Sequence, residues 1–117
     1  MMVEQWSGKF EAERARLNET VLSSGHLGIK RFFALDEQAY LSGALPAKTK
    51  ELFGLVASMV LRCDECISYH LIRCREEGVT REEFYEAFNV ALVVGGSIVI
   101  PHLRLAAERL ETLLEAR

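Results

Sequence analysis

The chain has 117 residues, half of them hydrophobic, with 14 basic and 17 acidic side chains and a formal net charge of −3. This length predicts one domain, and the slight acidity without a basic patch argues against nucleic acid as a partner. Half is a high hydrophobic share for a small monomer, so we expect other subunits to cover part of the apolar surface.

Apolar residues recur at helical spacing in two N-terminal stretches, separated by the sequence SSGHLG. The first stretch covers roughly residues 3–22 and the second roughly 28–41, and both read as amphipathic helices because polar residues occupy the other faces. The apolar positions are Trp6, Phe10, Leu17 and Val21 in the first and Ile29, Phe32, Phe33 and Tyr40 in the second. We expect the aromatic residues to lie in the core or at a subunit interface.

The sequence SGALP predicts a turn, after which Pro46 suits the first turn of a third helix that runs to about Leu61. Apolar residues cover more than one face of this third helix, so we expect it to be buried on most sides. A fourth helix is predicted to begin at Cys63 or Asp64. It should stop near Gly78, because glycine is a common residue just after a helix C-terminus.

The sequence TREE at 80–83 has the form of a capping box and predicts the start of a fifth helix. Gly95 and Gly96 should end or kink that helix, and a last helix runs to about Leu114. Strands are not expected, because the chain has only two prolines and no alternating runs of β-branched residues. The sequence therefore predicts an all-α fold, a compact helical bundle in which residues 1–117 form a single domain.

The N-terminus lacks the basic start and apolar stretch of a signal peptide. The longest apolar runs, LVASMVL and ALVVGGSIVIP, fall short of the roughly 18 residues that a membrane span requires. We therefore expect a cytoplasmic protein without a membrane partner. In that compartment a close pair of cysteines is more often catalytic or metal-binding than structural.

The sequence RCDECISYH places two cysteines and a histidine where that chemistry is expected. Cys63, Cys66 and His70 are spaced i, i+3 and i+7, so they share one face of a helix. Cys66 and His70 are neighbours four residues apart and can interact. A thiolate near the first turn would also be favoured by the free N–H groups and the helix dipole. The alternative is three ordinary core residues.

A metal site is a second alternative, since Cys74 continues the same helix face. At about 1.5 Å per residue, Cys74 lies roughly 16 Å from Cys63 on a straight helix. Zinc–ligand bonds are only about 2.0–2.3 Å long, so Cys74 cannot join the others around one ion, and we expect it to be a packing residue. A zinc site made of Cys63, Cys66 and His70 and completed by Glu51 stays open, as in a metal-binding regulatory or structural protein.

Glu51 lies on the third helix, which otherwise reads as buried, and a buried carboxylate needs a partner. If the chain reverses near 61–63 and the fourth helix returns antiparallel, Glu51 comes within about one turn of the level of His70. The carboxylate would then orient the imidazole, and the imidazole would draw the proton from the thiol of Cys66. The alternative is that Glu51 faces solvent beside Lys48 and Lys50.

The spacing of these residues resembles the active-site signature of the alkylhydroperoxidase AhpD family. The signature here is Glu51, then Cys63-x-x-Cys66-x-x-x-His70. AhpD belongs to the wider carboxymuconolactone decarboxylase superfamily, and the sequences GALPAKTKEL and GVTREEFYEA and the later GG are similar to its core, over about 30–110. The resemblance implies an all-helical fold with the motif at the start of a buried helix, and trimers or hexamers.

The resemblance also implies an antioxidant peroxidase that reduces hydroperoxides. Carried over by position, Cys66 is the attacking thiol, Cys63 the resolving thiol, His70 the base for Cys66, and Glu51 the end of the proton relay. No tightly bound cofactor is expected. The reductant should be an external dithiol, either a thioredoxin-type protein or a lipoyl-type donor. The alternative within the superfamily is a decarboxylase-like member in which the cysteines are incidental.

One position departs from the AhpD pattern, because Glu65 stands where AhpD carries a second histidine. A carboxylate there disfavours a nearby thiolate, unless it points to solvent or pairs with Arg62. The remaining histidines, His26 and His102, are expected to be surface residues without a chemical role.

Overall fold

The computed structural model describes residues 6–115, and these form six α-helices, one short 3-10 turn and no strand. The all-α prediction is confirmed. The predicted start of the first helix at residues 3–5 lies outside the described residues. The helices are α1 (Trp6–Leu22), α2 (Leu27–Ala39), α3 (Ala47–Val60), α4 (Asp64–Glu76), α5 (Arg81–Gly95) and α6 (Ile100–Glu115), with the 3-10 turn at Ser97–Val99.

Side-chain caps fix where several of these helices begin. Thr80 and Glu83 form the predicted capping box, each side chain bonding to the other residue's backbone N–H. His26, expected to be a plain surface residue, is the N-cap of α2, where its Nδ1 accepts from the backbone N–H of Ile29 at 3.3 Å. Pro46 is the residue just before the first turn of α3, one position earlier than predicted.

The hydrophobic core lies among the last four helices, where α3 packs on α4 and α5 and α4 packs on α6. The predicted packing role of Cys74 is confirmed, since its side chain is fully buried. The other fully buried core side chains, one or more from each of these helices and the 3-10 turn, are Leu55, Met59, Leu71, Phe84, Ala91, Val99 and Leu110.

The two N-terminal helices differ from the rest, because neither α1 nor α2 has a buried residue. Trp6 attaches the start of α1 to α6 by donating its Nε1–H to the backbone carbonyl of Arg109 at 3.0 Å. Further along, Leu17, Phe32 and Leu35 are exposed. The apolar faces predicted for these helices therefore exist, but a single chain covers them only in part.

One residue with a left-handed backbone conformation turns the chain sharply before α4, and another does so after it. At Gly78, with φ +84°, the N–H groups of Gly78 and Val79 bond back to the last turn of α4. Arg62, with φ +62°, makes the same pattern after α3, and the N–H of Cys63 bonds to the carbonyl of Ser58 at 3.0 Å. The turn at Arg62 reverses the chain near 61–63, which is the condition under which Glu51 was predicted to reach His70, and α4 returns along α3. No helix in the described part of the chain is long and apolar enough to cross a membrane.

Candidate functional site

The two cysteines of the motif form a disulfide at the start of α4, with their Cα atoms 5.3 Å apart. Cys63 is the N-cap, and its Sγ accepts a hydrogen bond from the backbone N–H of Cys66 at 3.2 Å. Cys66 lies in the first turn of the helix. Its side chain is exposed, whereas Cys63 is half-buried. Of the two cysteines, Cys66 is therefore the one more open to a reagent that arrives from solvent.

Glu51 is buried, with 1 % of its surface exposed, and its Oε1 lies 2.9 Å from Nδ1 of His70. The solvent-facing alternative for Glu51 is therefore wrong. The neighbouring lysines turn elsewhere: Lys48 pairs with Glu83, and Lys50 donates to the carbonyl of Leu41. The Glu51–His70 pair that was predicted for antiparallel α3 and α4 is therefore present.

The second oxygen of Glu51 also faces a positive charge, because Nε of Arg73 lies 3.6 Å from its Oε2. Arg73 is one turn beyond His70 on α4 and also contacts Glu76 and Glu77. The buried carboxylate therefore has a nitrogen of a basic side chain beside each of its two oxygens. In this contact the carboxylate oxygen accepts, and Nδ1 of His70 donates.

Two tyrosines enclose the imidazole of His70. The hydroxyl of Tyr40, at the end of α2, lies 3.5 Å from Nε2, with the ring centroids 5.3 Å apart. Tyr69 packs edge-on against the imidazole, with the centroids 5.0 Å apart. Burial, aided by the negative charge of Glu51, raises the pKa of the Tyr40 hydroxyl, so it stays protonated at neutral pH.

Gly54 leaves the space that the imidazole occupies. A Cβ atom at this position would lie 2.5 Å from Cε1 of His70, 2.7 Å from Nε2 and 2.8 Å from the Tyr40 oxygen. Sequence reasoning missed Gly54 and assigned Tyr40 only to an apolar helix face. A glycine inside a helix costs about 1 kcal/mol relative to alanine, and this was the signal that a close contact occurs there.

An open cavity of about 470 Å³ lies between α1, α2 and the unit formed by α3 and α4. Its polar lining includes Tyr40, Glu51, Tyr69 and Arg73, and the guanidinium of Arg14 stacks 4.0 Å above the ring of Tyr69. Glu51 is thus buried but lies at the wall of an open cavity.

The zinc alternative gains no support from the geometry. Within residues 6–115 no group of three or more His, Cys, Asp or Glu side chains is arranged to hold a metal ion. The sulfurs of Cys63 and Cys66 are bonded to each other, so in this state neither is a thiolate ligand.

A second histidine lies beside the motif, although His102 was expected to have no chemical role. Its Nδ1 is 2.8 Å from Oδ1 of Asp64, the first residue of α4, and this contact links α4 to α6. Glu65, the position that departs from the AhpD pattern, is exposed. Glu65 was expected either to point to solvent or to pair with Arg62, and the structure shows the first arrangement.

Comparison with known proteins agrees with the fold. A carboxymuconolactone decarboxylase family protein from Thermotoga maritima, for which a part in an antioxidative response has been suggested, is 61 % identical, with a TM-score of 0.88 over 92 % of this chain and 91 % of that one. A family member from Legionella pneumophila is 27 % identical, with a TM-score of 0.79 over 97 % and 98 % of the two chains.

A shorter match joins this chain to an alkyl hydroperoxide reductase AhpD, that of Corynebacterium aurimucosum. The two are 44 % identical over 46 residues, which is 39 % of this chain and 26 % of the relative. The resemblance to AhpD noted in the sequence is thus confirmed. The family pattern of the carboxymuconolactone decarboxylases matches residues 29–109, most of the chain. The protein belongs to the carboxymuconolactone decarboxylase family.

Proposed function

We propose that the protein is an AhpD-like thiol peroxidase, which reduces hydroperoxides through a Cys63–Cys66 redox pair. The observation that carries this proposal is the buried hydrogen bond between Glu51 and His70. His70 lies on α4, and the exposed Cys66 lies one turn earlier on the same helix. A base, its orienting carboxylate and an accessible sulfur are the parts that an activated thiol nucleophile needs. The disulfide favours redox chemistry over a decarboxylase in which the cysteines are incidental.

The first step is attack by Cys66. His70 takes the thiol proton at Nε2, since Nδ1 is already bonded to Glu51, and the resulting thiolate attacks the terminal oxygen of the hydroperoxide. The O–O bond breaks, Cys66 becomes a sulfenic acid, and the leaving alkoxide takes the proton back from His70 to depart as an alcohol. Two electrons pass from the sulfur to the peroxide.

The second step closes the disulfide. The thiol of Cys63 attacks the sulfenic sulfur of Cys66, the S–O bond breaks, and water leaves with the thiol proton. The Cα atoms of the two residues are 5.3 Å apart, within the usual range for a disulfide, so this step needs little movement of the backbone.

An external dithiol then restores the two thiols by exchange. Its thiolate attacks the exposed sulfur of Cys66, and Cys63 leaves as a thiolate. The backbone N–H of Cys66, which donates to Cys63 Sγ at 3.2 Å, stabilises that leaving group. The second thiol of the donor attacks the mixed disulfide at the donor's own sulfur and frees Cys66, so the donor leaves oxidised. A lipoyl-type or thioredoxin-type donor fits this chemistry.

Assembly into a trimer or hexamer is part of the proposal. Its support is the apolar surface that one chain leaves exposed, on α1, on α2 and at the end of α5.

The test begins with the full-length protein, reduced and then freed of reductant. We expect one equivalent of cumene hydroperoxide to be consumed per chain. Mass spectrometry of the peptide that contains Cys63 and Cys66 should show the loss of two hydrogen atoms. Cys66→Ser should abolish consumption, whereas Cys74→Ala, which changes a buried thiol outside the pair, should retain it.

Two results would contradict the proposal: consumption that is unchanged in Cys66→Ser, or a reduced protein that does not form the disulfide. Dihydrolipoamide and a thioredoxin-type dithiol, supplied in turn with excess hydroperoxide, then distinguish the two classes of donor by the rate of steady turnover.

A further inference from the structure

The imidazole of His70 has a polar contact that the proposed relay does not use. The relay accounts for Nδ1 through Glu51 and assigns Nε2 to the proton of Cys66. In the disulfide state, however, Nε2 faces the hydroxyl of Tyr40 at 3.5 Å. Tyr40 comes from a third element, the end of α2, whereas the other residues of the relay lie on α3 and α4.

We propose that Tyr40 is a positioning residue whose hydroxyl bonds to Nε2 of His70 in the disulfide state and again once His70 has taken the proton of Cys66, and that it thereby supports the protonated form of His70. This inference rests on the proposed role of His70 as the base for Cys66.

The chemistry of a phenol suits both states of the imidazole. In the disulfide state Cys66 has no thiol proton to give, so Nε2 is a free lone-pair acceptor and the Tyr40 hydroxyl donates to it. Once Nε2 holds the proton of Cys66, the hydroxyl rotates and accepts from Nε2–H. Tyr40 then gives this largely buried N–H a hydrogen-bond partner.

The surroundings hold the tyrosine and the histidine together. Gly54 leaves a gap that both side chains fill, since a Cβ atom there would lie within 2.8 Å of each. The titratable or charged groups around the Tyr40–His70 contact are Glu51 from α3, Asp36 from α2, Tyr69, Arg73 and Cys74 from α4, and Arg14 from α1, and Cys66 lies one turn before His70 on α4. All of these are unchanged when Tyr40 is replaced by Phe.

Tyr40→Phe removes the hydroxyl and keeps the ring. Loss of this hydrogen bond destabilises a buried imidazolium more than a neutral imidazole, so His70 becomes a weaker proton acceptor. The thiolate of Cys66 then forms only at higher pH. We expect the midpoint of its pH profile to rise by about half a unit to one unit, and the rate with hydroperoxide at neutral pH to fall by about three- to ten-fold.

The matched control is Tyr69→Phe. Tyr69 touches the same imidazole through its ring edge, and within the described residues its hydroxyl makes no hydrogen bond to His70. Removing that hydroxyl should leave the profile of Cys66 in place. Both variants are made in a Cys63→Ser background, so that Cys66 is the accessible thiol, and iodoacetamide alkylation is followed from pH 5 to 10.

The inference is supported if Tyr40→Phe shifts the alkylation profile upward and Tyr69→Phe does not. It is overturned if neither variant moves the profile, or if both move it equally. Thermal unfolding of each variant checks the fold, and the pKa of His70, measured by NMR, gives an independent readout that should fall in Tyr40→Phe. An unchanged His70 pKa also overturns the inference.

Alkylation does not require peroxide turnover, which separates the two ideas. If the wild type fails to consume hydroperoxide but the profile still shifts, the proposed function fails and the role of Tyr40 in activating the thiol stands. If hydroperoxide is consumed and the profile does not shift, only the role of Tyr40 fails.

Discussion

Two histidine–carboxylate pairs tie α4 to neighbouring helices, with nearly equal distances but different surroundings. His70 is 2.9 Å from Glu51, and His102 is 2.8 Å from Asp64. The Glu51 side chain is 1 % exposed and that of Asp64 is 48 % exposed. Water competes for the hydrogen bond of the exposed His102–Asp64 pair and is excluded from that of the buried His70–Glu51 pair. The buried contact is therefore the more firmly held of the two, although the two distances are nearly equal.

The two pairs also hold different parts of the fold together. The buried pair joins α3 to the middle of α4, where Gly54 and Tyr40 lie close against the imidazole and Arg73 lies against the carboxylate. The exposed pair joins the first residue of α4 to α6. An exposed pair of this kind contributes about 0–1 kcal/mol to stability, so its loss should be tolerated.

The largest expected effect separates the two histidines. Replacing His70 by Gln removes the proposed base, and we expect peroxide consumption to fall by about 10²-fold or more. Replacing His102 by Gln removes an exposed contact and should change the rate by less than about three-fold. Initial rates with cumene hydroperoxide, measured on both variants beside the wild type, make the comparison. Equal losses in the two variants would remove the distinction between the pairs.

The next effect concerns burial without a charged hydrogen-bond partner. Burial raises the pKa of the Cys74 thiol, so at pH 8 it stays protonated, whereas a thiol with an ordinary pKa is partly ionised. In the reduced native protein we expect iodoacetamide to modify Cys74 at least about 100-fold more slowly than Cys66.

Peptide mapping by mass spectrometry over time follows each cysteine separately. Unfolding the protein in denaturant is the control, because it should bring Cys74 to the rate of an ordinary thiol. Fast labelling of Cys74 in the folded protein would show that burial does not govern thiol reactivity here.

The smallest effect tests the space around the buried pair. Gly54→Ala forces His70 and Tyr40 to move, and we expect it to lower the free energy of unfolding by about 1–3 kcal/mol and to slow peroxide consumption. Gly8→Ala is the control, since nothing lies within 4 Å of its Cβ and alanine favours the helix by up to about 1 kcal/mol. Denaturant unfolding measures both, and a Gly54→Ala protein as stable and active as Gly8→Ala would contradict the close packing.

Features fixed by near neighbours in sequence could be predicted. The spacing of Cys66 and His70 placed them one turn apart on a single helix, with Cys63 just before its first residue, and TREE located the start of α5, because caps and helix spacing depend on local geometry. The partner of Glu51 could be predicted only on the condition that the chain reverses near 61–63. That reversal depends on a left-handed Arg62, where glycine is the usual residue.

Contacts between distant elements were beyond the sequence. Tyr40 meets His70 because α2 ends beside α4, and nothing in the spacing of 30 residues indicates that contact. The predicted apolar faces of α1 and α2 were right as patterns. They could not show that Leu17 and Phe32 stay exposed, because periodicity identifies an apolar face and not what covers it.

The central claim, that Cys66 is the thiol oxidised by hydroperoxide, is tested most directly by trapping its sulfenic acid. In a reduced Cys63→Ser protein the sulfenic acid has no resolving thiol, so dimedone should capture it after one equivalent of cumene hydroperoxide. We predict one dimedone adduct, located on Cys66 by peptide mass spectrometry. An adduct found instead on Cys63 in a Cys66→Ser protein, with none on Cys66 in Cys63→Ser, would contradict the claim.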